Sequence, residues 1–597
     1  MHDRNGNTPL APGQQIPIPD NFPVAWTDPD ETKLLWQLDP MHYPDPMRPL
    51  EFDLMAAIYA AGMKHALQAY DLPVRLEARQ INTYLYGAFT PQGLPPAPVI
   101  RLTNQLKRVL PGLVNTIERK AVAAMTQRYL AKMEPVIAQL GTIWVDEFLP
   151  EIKQSLAEWA AFELSAAPAD QLVTHFEATL AKAKRAGEIH FLIAFPYLLA
   201  LSRFDDLYVE LFAEAKPFDS YRLLQGFDNK NLQGGRALWQ LSRKAQTMPE
   251  VRHILEYEPI GTIIPKLEES VAGQIFLTEF QAYLAEYGQR GDKFSTIADV
   301  SWLEDPTPVI KSLKDYIRQP NRDMIAELAA EADERERLVA VARRHLQGKP
   351  QAVIEQFNTA LKAAQAAIVI HADHGFWIDY CVLYQVRQVM LEMGRRLTEI
   401  GVVATPNDVF YLTLPELQRA ASDLGRQQPP TGRQAAIVER KAEVEHFRTV
   451  QPPKLLGTMP LLSPPDEPFT RMLTKFEGTS QDQSHYSHQA PNILEGNGGS
   501  PGIVQGTAKV VHSIYQAEKL QPGDILVAET TSAVWSPLFA TVAAVITDTG
   551  GILSHCAVVA REYHIPAVVG ASIATKTIKD GDLVEVDGEA GIVRILS

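Results

Sequence analysis

The stretch Thr547 to Ala557, Thr-Asp-Thr-Gly-Gly-Ile-Leu-Ser-His-Cys-Ala, holds the residues best placed to do chemistry. A strand-like run ends at Thr547, Gly550 and Gly551 follow, and Ser554 stands where a helix N-cap is expected. His555 then lies in the first turn of that helix. Free backbone N–H groups and the positive end of the helix dipole favour an anion there. Gly550 and Gly551 let the backbone approach closely, and the Thr549 and Ser554 hydroxyls are donors for phosphoryl oxygens. A helix N-terminus also disfavours imidazolium, which leaves His555 a neutral nucleophile. Phosphoryl transfer asks mainly for position and charge stabilisation, so a single nucleophile in an anion cradle is sufficient for a carrier. The plain alternative is a histidine that only caps or packs. A metal site is disfavoured, because no His, Cys or carboxylate sits nearby at ligand spacing.

The elements around this stretch come from the composition of the C-terminal hundred or so residues. From Gly496 onward Gly is dense and Val and Ile are frequent. Strands are expected over 506–512, 524–528, 543–547, 567–570, 583–587 and 592–596. A helix is expected from about Ser554 to Tyr563, with Pro566 just beyond it. Together these make a compact α/β domain over 496–597. Upstream, residues 1–20 are polar and Pro-rich and expected to be flexible. Residues 21–449 read as a mainly helical domain, with Ala, Leu, Glu, Lys and Arg dominant and apolar residues at three- and four-residue spacing from about Glu51. Residues 450–495, Pro-rich and then polar, read as a long connector with one or two anchoring patches.

Residues 496–597 resemble the swivelling phosphohistidine domain of phosphoenolpyruvate-utilising enzymes. The resemblance rests on Gly499-Ser-Pro-Gly502, Gly506-Thr-Ala, Pro522-Gly-Asp-Ile-Leu-Val, Thr547 to Ala557, Ala560-Arg-Glu, Ile565-Pro-Ala-Val-Val-Gly570 and Asp580 to Gly588. It implies that His555 is the phosphorylated residue. Cys556 departs from the pattern, where the family usually has Ala or another small residue. Arg561 reads as a structural or interdomain residue more readily than as a catalytic one.

The sequence as given ends at Ser597, without the barrel that follows this domain in several members. The arrangement is similar instead to the last two domains of rifampicin phosphotransferases, and still more to the histidine-bearing subunit of phenylphosphate synthases. The motifs that extend the resemblance are Trp36-Gln-Leu-Asp39 with His42, Pro46 and Pro49; Tyr287-Gly-Gln-Arg290; Trp302-Leu-Glu-Asp-Pro306; His374-Gly-Phe-Trp-Ile-Asp379; Leu391 to Leu397; and Asp408 to Thr413. The resemblance implies a mainly α-helical acceptor-binding domain followed by a small α/β swivelling domain. It implies a dikinase-type phosphotransferase that relays phosphate from ATP, released as AMP and phosphate, to a hydroxyl of a small, phenol-like acceptor. No P-loop is found, so ATP and Mg²⁺ are expected mainly on an ATP-grasp partner subunit. The alternative is a non-catalytic or regulatory phosphocarrier or binding subunit.

Within the helical region, His371 and His374 are three apart and share a helix face. They read either as a metal pair or as pocket histidines, and the resemblance favours His374 as the residue that takes the proton of an acceptor hydroxyl. Asp379 would orient it or act itself; otherwise it caps, or pairs with Arg387. Arg290 and Arg387 offer bidentate contacts to an incoming phosphoryl group, with a surface ion pair as the alternative for each. Phe376, Trp377, Tyr380 and Tyr384 suit a flat apolar acceptor or a core. No metal ligands are assigned.

The whole chain bounds these readings. Its 597 residues are 46% hydrophobic and 21% charged, and the net charge of −15 argues against a nucleic-acid surface. The two cysteines, Cys381 and Cys556, cannot build a disulfide framework. No signal peptide or membrane span is found, so a cytoplasmic location is expected.

Overall fold

A computed structural model of the chain describes residues 10–92, 97–293, 297–426, 432–478 and 492–596. Contacts divide it into two compact units. The first draws on Met1–Pro196 and Gln385–Arg471, the second on Tyr197–Tyr384, Met472–Ser480 and Ala490–Ser597. The mainly helical region expected over 21–449 therefore contributes to both units. Among the described residues, no helix is long and apolar enough to cross a membrane.

The first unit combines long helices with a sheet that the helical periodicity did not announce. Strands β1 (Leu35–Leu38), β2 (Val74–Ile81), β3 (Tyr84–Pro91) and β4 (Leu455–Gly457) form a four-stranded sheet in the order β2-β3-β1-β4. All its pairings are antiparallel. The β2–β3 hairpin turns on Asn82 and Thr83, both at positive φ (48° and 70°), the left-handed pair that matches the twist of the flanking strands. Trp36, Ile81, Tyr84, Tyr86 and Leu456 cover one face with Phe22 and Phe447.

Strand β4 lies inside the stretch expected to be a connector, and that stretch also contains the helix Pro468–Glu477. The polar part of the connector, residues 479–491, lies outside the described residues, as do residues 1–9 of the segment expected to be flexible. Within residues 10–20, Gln15 bridges Thr458 and Ile16 is buried.

The second unit holds the C-terminal α/β region and a set of helices. Eight strands form one sheet: β5 (Ile493–Glu495), β6 (Asn497–Ser500), β7 (Ile503–Val510), β8 (Ile525–Ala528), β9 (Ala544–Thr547), β10 (Ala567–Val569), β11 (Leu583–Asp587) and β12 (Ile592–Ile595). The order is β5-β12-β11-β7-β8-β9-β10-β6. The expected strands are present within a few residues. The Gly-rich segment 496–500 adds β6 at one edge, where its glycines pack against β10: a side chain at Gly499 would lie 3.2 Å from the Ala567 carbonyl.

Strands β7 to β10 run parallel. Their side chains are fully buried at β8, β9 and β10, as expected for parallel strands. The β9–helix–β10 crossover carries the helix His555–Glu562, which places the Thr547–Ala557 stretch at the carboxyl ends of the parallel strands. Open α/β sheets bind ligands in this position.

The helices of this unit include Lys230–Gln246, Val271–Tyr287, Thr307–Ile317 and Gln351–His374. The last continues into a π-helical segment, Gly375–Val382. That wider coil rotates the following side chains relative to a regular helix, and such segments are frequent at functional sites.

Candidate functional site

His555 occupies the first position of its helix. Ser554 is the N-cap, in extended conformation, and its hydroxyl oxygen accepts from the Ala557 N–H at 3.5 Å. The residue as a whole is half-buried, but its Nε2 is enclosed and has no hydrogen-bond partner. The imidazole lies parallel to that of His371, with ring centroids 5.9 Å apart and planes within 9°. His371 in turn is 6.4 Å from His374, and Tyr197 stands beside both, 5.5 Å from His371 and 5.0 Å from His374.

The electrostatics tie the remaining residues to this ring. Burial, then the charge of Arg290 and that of His374 when it is protonated, push the His555 imidazole down to about 3, and Asp379 pulls the other way. Arg290, His374 and Asp379, separated in sequence, are thus within electrostatic reach of one nucleophile, which is held neutral at any physiological pH. His371 is likewise held well below its usual value, by burial first and then by His555, His374 and Arg561.

His374 has a defined tautomer. Its Nδ1 lies 2.8 Å from the Ile370 carbonyl, which can only accept, so Nδ1 carries the proton. In the neutral ring the lone pair is then on Nε2, which lies 3.4 Å from the Tyr197 hydroxyl. The ring is therefore set up to accept a proton at Nε2.

Arg290 is 2% exposed and sits among aromatic faces, 5.6 Å from the Trp302 ring, 5.4 Å from Phe376 and 5.7 Å from Tyr380. Lys230 Nζ lies over Tyr287, Phe376 and Trp377 at 5.6, 5.3 and 5.4 Å. Two cations against a shared wall of aromatic rings make a surface suited to flat, electron-rich or anionic groups. Asp379, on the π-helical segment, is 3% exposed. Arg387 belongs to the first unit, where its guanidinium lies 5.6 Å from the Phe410 ring.

Residues 520–591 match the family described as PEP-utilising enzyme, mobile domain. Residues 197–370 match a second family, described as rifampicin phosphotransferase fourth domain. Over 594 residues the chain is 38% identical to chondramide synthase cmdD of Chondromyces crocatus, covering 99% of this chain and 14% of that protein. It is 29% identical over 412 residues to the uncharacterized phosphotransferase YvkC of Bacillus subtilis, covering 69% of this chain and 47% of that one. It is 30% identical over 385 residues to a rifampicin phosphotransferase of a Streptomyces species, covering 62% of this chain and 40% of that one. The chain thus spans less than half the length of these relatives.

The expected phosphate cradle of the mobile domain is only partly available in this arrangement. The Thr549 hydroxyl donates to the Glu529 carbonyl at 3.1 Å, and the Gly551 N–H donates to the Phe476 carbonyl at 2.9 Å. The Leu553 N–H donates to the Lys475 carbonyl at 2.8 Å. The last turn of the helix Pro468–Glu477 therefore takes the N–H of Gly551, which the sequence assigned to an anion, and that of Leu553 beside it. Gly550, at φ 107°, shapes the turn: a side chain there would meet the Ser554 hydroxyl at 2.8 Å. The donors left next to His555 include its own N–H and that of Cys556, at the start of the helix.

Arg561 is structural, as its position suggested. It is 4% exposed, donates to the Gly499 carbonyl at 2.6 Å and to the Ile552 carbonyl at 2.9 Å, and lies 4.4 Å from the Tyr221 ring. It ties β6 and the histidine loop together. Glu562 accepts from Asn229 Nδ2 at 3.1 Å, and burial pushes its carboxyl up to about 8.

The seat of Gly551 gives a direct test of the loop anchor. A side chain there would lie 2.4 Å from the Lys475 carbonyl oxygen and 2.6 Å from the Gly478 nitrogen, both backbone atoms that cannot step aside cheaply. Gly551→Ala should lower stability by about 1–3 kcal/mol, the usual cost of overpacking, read as a lower thermal midpoint. An unchanged midpoint would show that the loop does not rest on the helix Pro468–Glu477.

Proposed function

We propose that this chain is the histidine-bearing part of a phosphotransferase, and that His555 takes a phosphoryl group and passes it to a hydroxyl of a small, flat, phenol-like acceptor. The observation that carries the reading is the meeting of His555 Nε2, enclosed and without a partner, with Arg290, His371, His374 and Asp379. In this reading the structure corresponds to the delivery position. ATP, with its Mg²⁺, is bound outside these residues by an ATP-grasp module, as a partner subunit or on another segment. The lack of a P-loop in the sequence supports that part.

Delivery then proceeds with every atom accounted for. The acceptor oxygen attacks phosphorus, the new O–P bond forms and the P–N bond to His555 breaks. The acceptor proton moves first to His374 Nε2 and finally to the ring of His555, which leaves as neutral imidazole. Arg290 offsets the charge on the phosphoryl oxygens as they move. Phe376, Trp377 and Tyr287 offer the acceptor ring its faces. The name of the rifampicin phosphotransferase relative supports a hydroxyl-bearing aromatic acceptor.

Treating the chain with phosphoramidate, a small phosphoryl donor, tests the reading without the ATP-binding part. Mass spectrometry should find one acid-labile phosphoryl group on His555. A chase with a panel of phenols and naphthols should move it to at least one of them. If His555 stays unmodified, or no hydroxyl compound discharges it faster than water does, the relay is wrong.

A further inference from the structure

His371 has no part in the relay as described so far, yet it has the closest ring approach to His555 that the site offers. Its plane is within 9° of that of His555 and the ring centroids are 5.9 Å apart. Its Nδ1 is enclosed and has no hydrogen-bond partner. Two enclosed imidazole nitrogens without partners, one on each facing ring, describe a place for a polar group that bridges them. Buried nitrogens of this kind are normally satisfied, and leaving two side by side has a cost that a bound group removes.

The neighbours do not meet this need. His374 Nδ1 is held by the Ile370 carbonyl, and its Nε2 faces Tyr197. Tyr197 meets the His371 ring edge to face, with an interplanar angle of 80°. A phosphoryl group on Nε2 of His555 projects its oxygens out of the imidazole plane, to both sides. The His371 ring centroid is 5.9 Å from that of His555, close enough for its Nδ1 to meet such an oxygen.

We propose that His371 is a catalytic residue, which holds an oxygen of the phosphoryl group on His555 through its Nδ1–H. This rests on the relay reading and deepens it. Burial and the surrounding charges keep His371 neutral, so it acts as an uncharged donor, with a directional bond and no proton given up. It forms and breaks no covalent bond. It grips the oxygen while the P–N bond breaks and the O–P bond forms, and its proton stays on Nδ1 throughout.

The test uses the full chain charged with phosphoramidate, as wild type and as His371→Asn, His371→Gln and His371→Ala. An asparagine amide nitrogen falls near the place of Nδ1, whereas a glutamine amide nitrogen falls near Nε2. His371→Asn should therefore keep transfer to a phenol within several-fold, while His371→Gln and His371→Ala should lose about 10²-fold, the usual effect of removing one donor to a developing charge. The ³¹P resonance of the phosphohistidine should match wild type in the asparagine variant and move in the other two. Equal transfer and an unmoved resonance in all three variants would overturn the role of His371 while leaving the relay standing. Failure of wild type to take phosphate on His555 would overturn both. If His371→Ala does not fold, the comparison of asparagine with glutamine still decides, since both fill the site.

Discussion

Replacing His555 with alanine should leave a folded chain that takes up no phosphate. The substitution removes a ring at the first position of a helix whose cap, Ser554, is untouched, and whose far end carries Arg561, bonded to the Gly499 and Ile552 carbonyls. It also removes a buried nitrogen that has no partner, so part of the lost packing is offset, and stability should change by no more than about 1–2 kcal/mol. The chemical effect is of another order. No other imidazole in the site is presented on a helix N-terminus, and His374 has its Nδ1 proton fixed on a carbonyl. Acid-labile phosphate should fall to background, a loss of about 10³-fold or more for a missing nucleophile. Phosphoramidate labelling followed by mass spectrometry checks it, with thermal unfolding as the control for folding. A variant that still carries acid-labile phosphate would place the carrier elsewhere.

What could be read in advance follows the distance over which each feature is decided. The histidine loop was legible because its determinants are neighbours: Thr547 ends a strand, Gly550 needs its positive φ, and Ser554 caps the helix it precedes. The fate of the loop's donors was not, because the carbonyls that take them belong to Glu529, Lys475 and Phe476, residues that no local pattern connects to Gly551.

The hairpin Val74–Pro91 escaped for a different reason. Its turn is Asn82-Thr83 with no glycine, and polar residues alternate along β2 in a stretch otherwise dominated by helix formers. Strand β4 owes its existence to pairing with β1, at the other end of the first unit's sequence. Arg290, His374 and Asp379 were reached through motifs and not through periodicity; the structure brings these three within electrostatic reach of His555. His371 was visible as the i,i+3 neighbour of His374. That spacing alone could not show that Ile370 fixes one ring while the other lies 5.9 Å from His555 with its Nδ1 enclosed and without a partner.

Arg290 should be the residue whose charge matters most after the nucleophile. It is the largest of the charge effects that lower His555, and its guanidinium is packed where water cannot replace it. Arg290→Met keeps much of the volume against Trp302, Phe376 and Tyr380 while deleting the charge. Replacing a buried charge by an apolar side chain of similar size is often neutral or stabilising, so this variant should fold. Transfer from phosphorylated His555 to a phenol should fall by about 10²–10³-fold, because a donor fixed in a dry site stabilises the moving phosphoryl charge far better than solvent does. Arg290→Lys should recover part of this loss, since it restores the charge without the fork. The pH dependence separates charge stabilisation from packing. With the arginine gone, a force opposing protonation of His555 disappears, so its value rises from about 3 towards the free imidazole range, held below it by burial, which is the larger cause. The acid limb of phosphate uptake should accordingly move to higher pH in Arg290→Met and stay near its wild-type position in Arg290→Lys. A methionine variant with wild-type transfer and an unmoved acid limb would reduce Arg290 to a packing residue and leave the phosphoryl group without its principal counter-charge.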